Sequence, residues 1–321
     1  PYIVRPSERL DVGHADTIGK RPTMEDCMTI HGRFRGFASE DFFAVYDGHG
    51  GREVAEYAAQ HLHTALEAAL RPLGPATPAD KQMQRAFEQA FAELNGFGEM
   101  DEPGVARSCG STAVVAVVIN AQLHVANVGD ARAVLCRVPP VGSGAPPTAQ
   151  RLSVDHKPGL HTERERIEAG GGSVIRRRGI DRVEGFLAVS RAFGDLSLAP
   201  HVSCEPYCAS ARLTERDRFL ILACDGVWDV LTDESAAAIV CEHASDKGVT
   251  GAAEALCAIS LQKGSTDNIS AMVVGLQGPE ETAAVIDEHT PTTEWGEPAS
   301  WDSDGKQTAA DEPAAETIAD V

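Results

Sequence analysis

At 321 residues and 43% hydrophobic content, the chain is long enough to bury a large core, as one sizeable domain or two ordinary ones. Its net charge of −20 argues against non-specific binding to nucleic acid or to an anionic membrane. No run approaches the eighteen or so apolar residues of a membrane-spanning helix; the longest, 113–119 and 219–224, have strand length.

The opening "PYIVRPSERL" carries neither the pattern of a secretory signal nor a Met-Gly start for myristoylation. Eight cysteines, at 27, 109, 136, 204, 208, 224, 241 and 257, are scattered through apolar or helical text with no CxxC pair. That usage points to a reducing compartment, cytoplasmic or nuclear, with Cys109 and Cys224 as small buried residues.

Strands are predicted at 24–31 and 42–46. A helix over 51–71 follows, with an apolar stripe at 54, 58, 62, 65, 66 and 69, then a second over 79–97 with its stripe at 83, 87, 90 and 94. Strands at 113–119, 123–128 and 133–138 are separated by "NAQ" and "GDAR", the spacing of an antiparallel meander. After a Pro- and Gly-rich loop at 138–148 come a strand at 150–154 and a helix at 162–171 with a capping box of Thr162 and Glu165. Strands at 186–190 and 218–224, helices at 232–244 and 250–264, and a strand at 269–276 complete the pattern. Strands and helices in this ratio predict a layered α+β domain, two sheets back to back with helices outside. Residues 1–278 form that domain. Residues 279–321 hold twelve acids against one lysine, net −11, without a sustained period, and read as a disordered or loosely docked acidic extension in which Trp295 and Trp301 are docking candidates.

Three apolar strands end or begin at an aspartate. "FFAVYDGHGG" delivers Asp47, Gly48 and His49; "FLILACDGVWDV" delivers Asp225; "KGSTDNISAMVV" places Asp267 just before a strand. Asp-Gly is an ordinary hairpin turn, but at Asp47 the text that follows is helical, so a hairpin has nothing to pair. At Asp225 the hairpin stays open, with "VWDVL" as the return strand. Carboxylates converging on one edge repel unless a cation neutralises them, and oxygen-only ligands select magnesium, manganese or calcium over zinc. No EF-hand spacing occurs. Gly48 has no side chain to keep its carbonyl from an ion. In "KRPTMEDCMTI", Arg21 precedes Pro22 and is biased to an extended conformation. Glu25 and Asp26 are adjacent, and on a strand they would face opposite ways, so at least one would act through metal-bound water.

The ordered motifs "KRPTMED", "FFAVYDGHGG", "GSTAVVAVV", "VANVGDARAVL", "DHKP", "ERERIEAGGG", "LAVSRAFGD", "ILACDGVWDVL" and "GSTDNIS" resemble those of the metal-dependent protein serine/threonine phosphatases of type 2C, over roughly residues 10–277. The resemblance implies a four-layer α-β-β-α sandwich of two antiparallel sheets flanked by helix pairs. It implies that Asp47 bridges two magnesium or manganese ions, that Asp225 and Asp267 complete one and the Gly48 carbonyl the other, and that Glu25 and Asp26 hold metal-bound waters. Arg21 matches the phosphate-binding arginine and His49 the general acid. Asp130 and Asp229 match a weaker third metal site found in some members, although "VGDAR" also reads as a hairpin turn. The implied reaction is hydrolysis of phosphoserine and phosphothreonine by metal-activated water, with no covalent intermediate, by a monomer acting on phosphorylated proteins. The rival is a non-catalytic phosphoprotein-binding or scaffolding relative. Where the family carries a flap, this chain has "GGSVIRRRGIDRVEG", with Arg176, Arg177 and Arg178 in place of the tryptophan of plant hormone-receptor-linked members.

Overall fold

The computed structural model describes residues 2–96, 104–140 and 142–276. The acidic segment 279–321, with Trp295 and Trp301, lies outside the described residues, as does residue 97 at the end of the second predicted helix.

Two main sheets are present, with strands numbered along the chain. The first has six strands in the spatial order β1 (Tyr2–Arg5), β3 (Cys27–Gly32), β4 (Glu40–Tyr46), β7 (Ala113–Ile119), β8 (Gln122–Val128) and β14 (Tyr207–Arg212). It is antiparallel except that β1 runs parallel to β3. The second has five antiparallel strands in the order β10 (Thr148–Arg151), β9 (Arg132–Arg137), β15 (Asp217–Ala223), β16 (Ile269–Gly275) and β2 (Asp11–Thr17).

The central strands read as unbroken apolar runs because both of their faces are buried, and the period of two then sorts residues between layers. In β4, Phe42, Ala44 and Tyr46 face α1 (Glu53–Leu70) and α2 (Asp80–Leu94), while Phe43 and Val45 face the other sheet. In β15, Leu220 and Leu222 enter the space between the sheets, and Ile221 and Ala223 meet α5 (Asp233–Gln262). Each such buried Leu or Phe contributes about 1.5–3 kcal/mol. The two predicted helices at 232–244 and 250–264 are the two halves of α5, which breaks at Gly248 (φ 67°, ψ −176°). The helix–sheet–sheet–helix layering follows from these packing faces.

Three predictions fail here. β8 and β9 lie in different sheets, so "GDAR" carries the chain across the sandwich instead of closing a meander. The strand at 186–190 does not form. In its place, β11 (Val174–Arg177) and β12 (Ile180–Val183) pair as a hairpin bearing Arg176 and Arg177. Helix α3 begins one residue early, at His161 in His161–Ala169, with Leu160 as its N-cap and no capping side chain; Glu165 pairs instead with His161 Nδ1 at 3.3 Å.

Candidate metal centre and active site

Asp47 follows β4 in the first sheet. Asp225 opens the single-turn helix α4 (Asp225–Trp228) after β15, and Asp267 precedes β16, both in the second sheet. The hairpin left open at Asp225 is therefore excluded: "VWDVL" is no return strand. Carboxylates from opposite sheets meet at one edge of the sandwich. Ligand atoms of Asp47, Asp130 and Asp225 lie within 4.8 Å of one another, and so do those of Asp26, Asp47 and Cys224, so Asp47 is common to both groups. Its main chain is fixed: the Asp47 carbonyl accepts from Thr112 N at 2.9 Å and from Ser111 Oγ at 3.3 Å.

The cluster is electrostatically unsatisfied. Both oxygens of the buried Asp26 carboxylate lack a hydrogen-bond partner. Burial, with the Asp267 charge behind it, pushes the Asp26 carboxyl up to about 6. Burial and the neighbouring Asp225, Asp26 and Asp130 push Asp47 well above the usual carboxylate range; burial, Asp130 and Asp229 do the same to Asp225. Oxygen donors in this state fit a hard divalent cation. Cys224 adds no soft ligand, because its thiol is pushed up by burial and by Asp26, donates to the Asn268 carbonyl at 3.4 Å and accepts from Ser270 N at 3.1 Å.

β3 begins at Cys27, not at residue 24, so Glu25 and Asp26 precede the strand and the parity argument does not govern them. They still differ: Asp26 is buried, whereas Glu25 is half-exposed and accepts from Thr23 Oγ1 at 2.9 Å and Gly51 N at 3.4 Å. A Cβ on Gly48 would sit 2.5 Å from the Glu25 carbonyl oxygen and 3.2 Å from Ala55 Cβ, so only glycine lets these segments close on each other. Arg21 and Asp267, assigned to different tasks by the resemblance, pair with each other.

Asp130 does not stand free for a third cation. Lys157 Nζ lies 2.5 Å from its Oδ2 and 3.8 Å from Asp229 Oδ1. Burial pulls the Lys157 ammonium down, but Asp130, Asp229 and Asp225 outweigh it and keep the group charged.

Two residues escaped the sequence reading. Asn268 staples the 18–25 loop: its Nδ2 donates to the carbonyls of Ile18 (3.0 Å) and Thr23 (2.9 Å), and its Oδ1 accepts from Glu25 N at 2.9 Å. Its only signal was adjacency to Asp267. Asp195 lies 2.6 Å, through Oδ2, from His49 Nε2, with no local signal 146 residues away. A thiol nucleophile needs a cysteine six residues before an arginine in a phosphate-cradling loop. The one such spacing, Cys27 to Arg33, runs along the extended β3 with the Cys27 thiol buried and pushed up.

A family model described as Protein phosphatase 2C matches residues 10–269. Protein phosphatase 2C 56 of Arabidopsis thaliana is 37% identical over 309 residues, covering 83% of this chain and 68% of that protein. Protein phosphatase 2C 77 of the same plant is 38% identical over 315 residues, covering 83% and 71%. Among solved structures, the serine-threonine phosphatase 2C from Toxoplasma gondii matches with a TM-score of 0.73 at 27% identity, over 83% of this chain and 94% of that one. The matched span runs from just before β2 to the first residue of β16 and takes in every acid of the edge cluster, and the chain belongs to the protein phosphatase 2C family of metal-dependent serine/threonine protein phosphatases.

Proposed function

We propose that the chain hydrolyses phosphoserine and phosphothreonine in proteins by direct attack of water, without a covalent intermediate, at a centre for two magnesium or manganese ions. The observation that carries this reading is the convergence of the half-buried Asp47 and Asp225, from opposite sheets, with the buried Asp130, their ligand atoms all within 4.8 Å of one another. Two such cations, when bound, bring water ionisation towards neutral pH and offset charge on the phosphoryl oxygens. Asp47, Asp225, Asp267 and the Gly48 carbonyl would hold the ions, and Glu25 and Asp26 would hold them through water. Arg21, exposed and placed before Pro22, leaves Asp267 to grip phosphate oxygens. His49 hands a proton to the departing Ser or Thr oxygen, help typically worth about 10²–10⁴-fold.

A non-catalytic relative would be expected to have lost some of these acids, and all are present. The test is phosphate release from a phosphothreonine peptide with manganese or magnesium. Turnover should vanish in EDTA and return with excess metal; activity that persists in EDTA, or is absent with metal, would end this reading. We take the enzyme to act as a monomer in a reducing compartment, cytoplasmic or nuclear, in keeping with its eight free cysteines.

For the third cation, Lys157 is a built-in competitor, since its ammonium already neutralises Asp130 and Asp229. Lys157→Met should raise the manganese bound per chain in titration calorimetry, from two towards three. An unchanged stoichiometry would show that Lys157 does not guard that site.

A further inference from the structure

Asp195 ends the "RAFGD" stretch and has no place in the reaction described so far. Its backbone is left-handed (φ 48°, ψ 34°), a conformation few residues other than glycine adopt, although aspartate tolerates it better than most. Three two-residue strands bring it to the site: β5 (Gly48–His49) pairs with β6 (Gly110–Ser111), and β6 pairs with β13 (Phe193–Gly194). In this register His49 and Gly194 both stand opposite Gly110, one on each side, so residues 49 and 195 meet across it. The Asp195 backbone is pinned as well: its N–H donates to the Cys109 carbonyl at 3.1 Å and its carbonyl accepts from Leu198 N at 2.7 Å.

The side chains then have little freedom. Among the described residues, the His49 imidazole is the one side chain bonded to the Asp195 carboxylate, which is only 6% exposed. Gly110 closes over the pair, since a Cβ there would lie 2.1 Å from Asp195 Oδ2 and 2.5 Å from His49 Nε2. The hydrogen bond at one imidazole nitrogen decides which nitrogen carries what, and an ionised acceptor makes that bond strong and directional. Nδ1 has no hydrogen bond from a described residue.

We propose that Asp195 is a positioning residue for His49: its carboxylate accepts the Nε2–H hydrogen bond, fixes the ring, and leaves Nδ1 to serve the leaving group. This rests on the reading of His49 as general acid. As the P–O bond to the Ser or Thr oxygen breaks, its electron pair goes to that oxygen. The Nδ1–H bond breaks and an O–H bond forms, leaving a neutral ring whose Nε2–H stays on Asp195.

The experiment compares Asp195→Asn, His49→Ala and the double variant on a phosphothreonine peptide and on p-nitrophenyl phosphate, whose leaving group needs less protonation. D195N should lower kcat on the peptide by roughly 10–100-fold, with KM within about twofold, and its loss on the aryl ester should be at least about tenfold smaller. In the H49A background, D195N should add almost nothing. Gly110→Ala, whose added Cβ must push the two side chains apart while leaving both chemically intact, should reproduce the same substrate selectivity. Nitrogen-15 NMR of the wild-type imidazole should show a proton on Nε2, lost or freely exchanging in D195N. A D195N enzyme that loses both substrates equally while H49A is selective, or additive losses in the double variant, would overturn the positioning role. A wild-type ring with no proton on Nε2 would overturn it too. An H49A enzyme with equal losses on both substrates would instead bring down the general-acid reading, and the NMR result alone would then judge whether Asp195 fixes the ring.

Discussion

Asp225→Asn is expected to lower turnover of a phosphothreonine peptide by about 10³-fold or more, while the metal-free variant stays folded and melts a few degrees higher than the wild type. Both effects have one cause. The Asp225 carboxyl is half-buried at the start of α4 beside Asp47 and Asp130, and desolvation together with the Asp130 and Asp229 charges raises its proton affinity well above the ordinary range. A protein that keeps such a group pays for it in stability, and an amide of the same shape removes the repulsion without opening a cavity. The neighbouring packing is tight and does not need the charge: a Cβ on Gly226 would lie 2.0 Å from the Asn268 carbonyl, so the turn is set by backbone contact. Turnover with saturating manganese and calorimetric melting in EDTA check the two halves separately. Unchanged turnover would remove Asp225 from the site. A lower melting point in EDTA would mean that protein groups, not ions, satisfy this carboxylate.

Much of the frame around this residue was legible because its strands are apolar from end to end. The run at 113–119 coincides with β7, and 42–46 lies inside β4, since nothing but a core strand buries every residue over such a length. The same uniformity hid the crossing at "GDAR": without alternation there is no face to follow, so a turn within one sheet and a passage to the other look alike. Edge and surface strands failed for the opposite reason. β2, "DVGHADT", and the hairpin of β11 and β12, with its run of arginines, have too few apolar residues to show a period, and their pairing partners supply the order. At the site, Asp47 and Asp267 could be singled out because a carboxylate at the rim of an apolar run is locally anomalous. Asn268 and Asp195 are not anomalous locally. Asn268 bonds residues some 250 positions earlier in the chain, and the Asp195 bond to His49 exists only because three very short strands align. Nor could the sequence show that Lys157 would occupy the space between Asp130 and Asp229, or that Arg21 would pair with Asp267.

In EDTA, the protein is expected to lose stability from pH 6.5 to pH 8, and manganese is expected to abolish that alkaline loss. Below this range the buried histidines act in the opposite sense. Desolvation lowers His63 and His124 to about 4 and His156 to about 3, against about 6.5 in the unfolded chain, so the unfolded state binds more protons and stability falls as pH drops. Glu163 has the depressed pKa of a paired acid: Arg191 and Arg166 overcome its burial and hold it to about 2, so its contribution persists until still lower pH. As pH rises past 6.5 the unfolded histidines lose their protons as well, and their effect on the slope fades. The acid cluster then decides the slope with the opposite sign. Asp47 and Asp225 have folded-state proton affinities raised well above the unfolded value, so the native state holds protons that the unfolded chain has already released. Their stabilisation is complete at low pH and is lost as pH rises through the cluster's own titration, which belongs to the coupled group and not to either residue. Each proton released between pH 6.5 and 8 costs up to about 2 kcal/mol, or roughly 5 °C in melting temperature. Bound cations neutralise the same carboxylates and stabilise only the folded state, so the shift produced by manganese should be larger at pH 8 than at pH 6.5. Melting curves at the two pH values, each with EDTA and with manganese, give the four numbers required. A metal-free protein that grows more stable from pH 6.5 to 8, or a manganese shift independent of pH, would mean that these carboxylates are not the ion-binding acids of the centre.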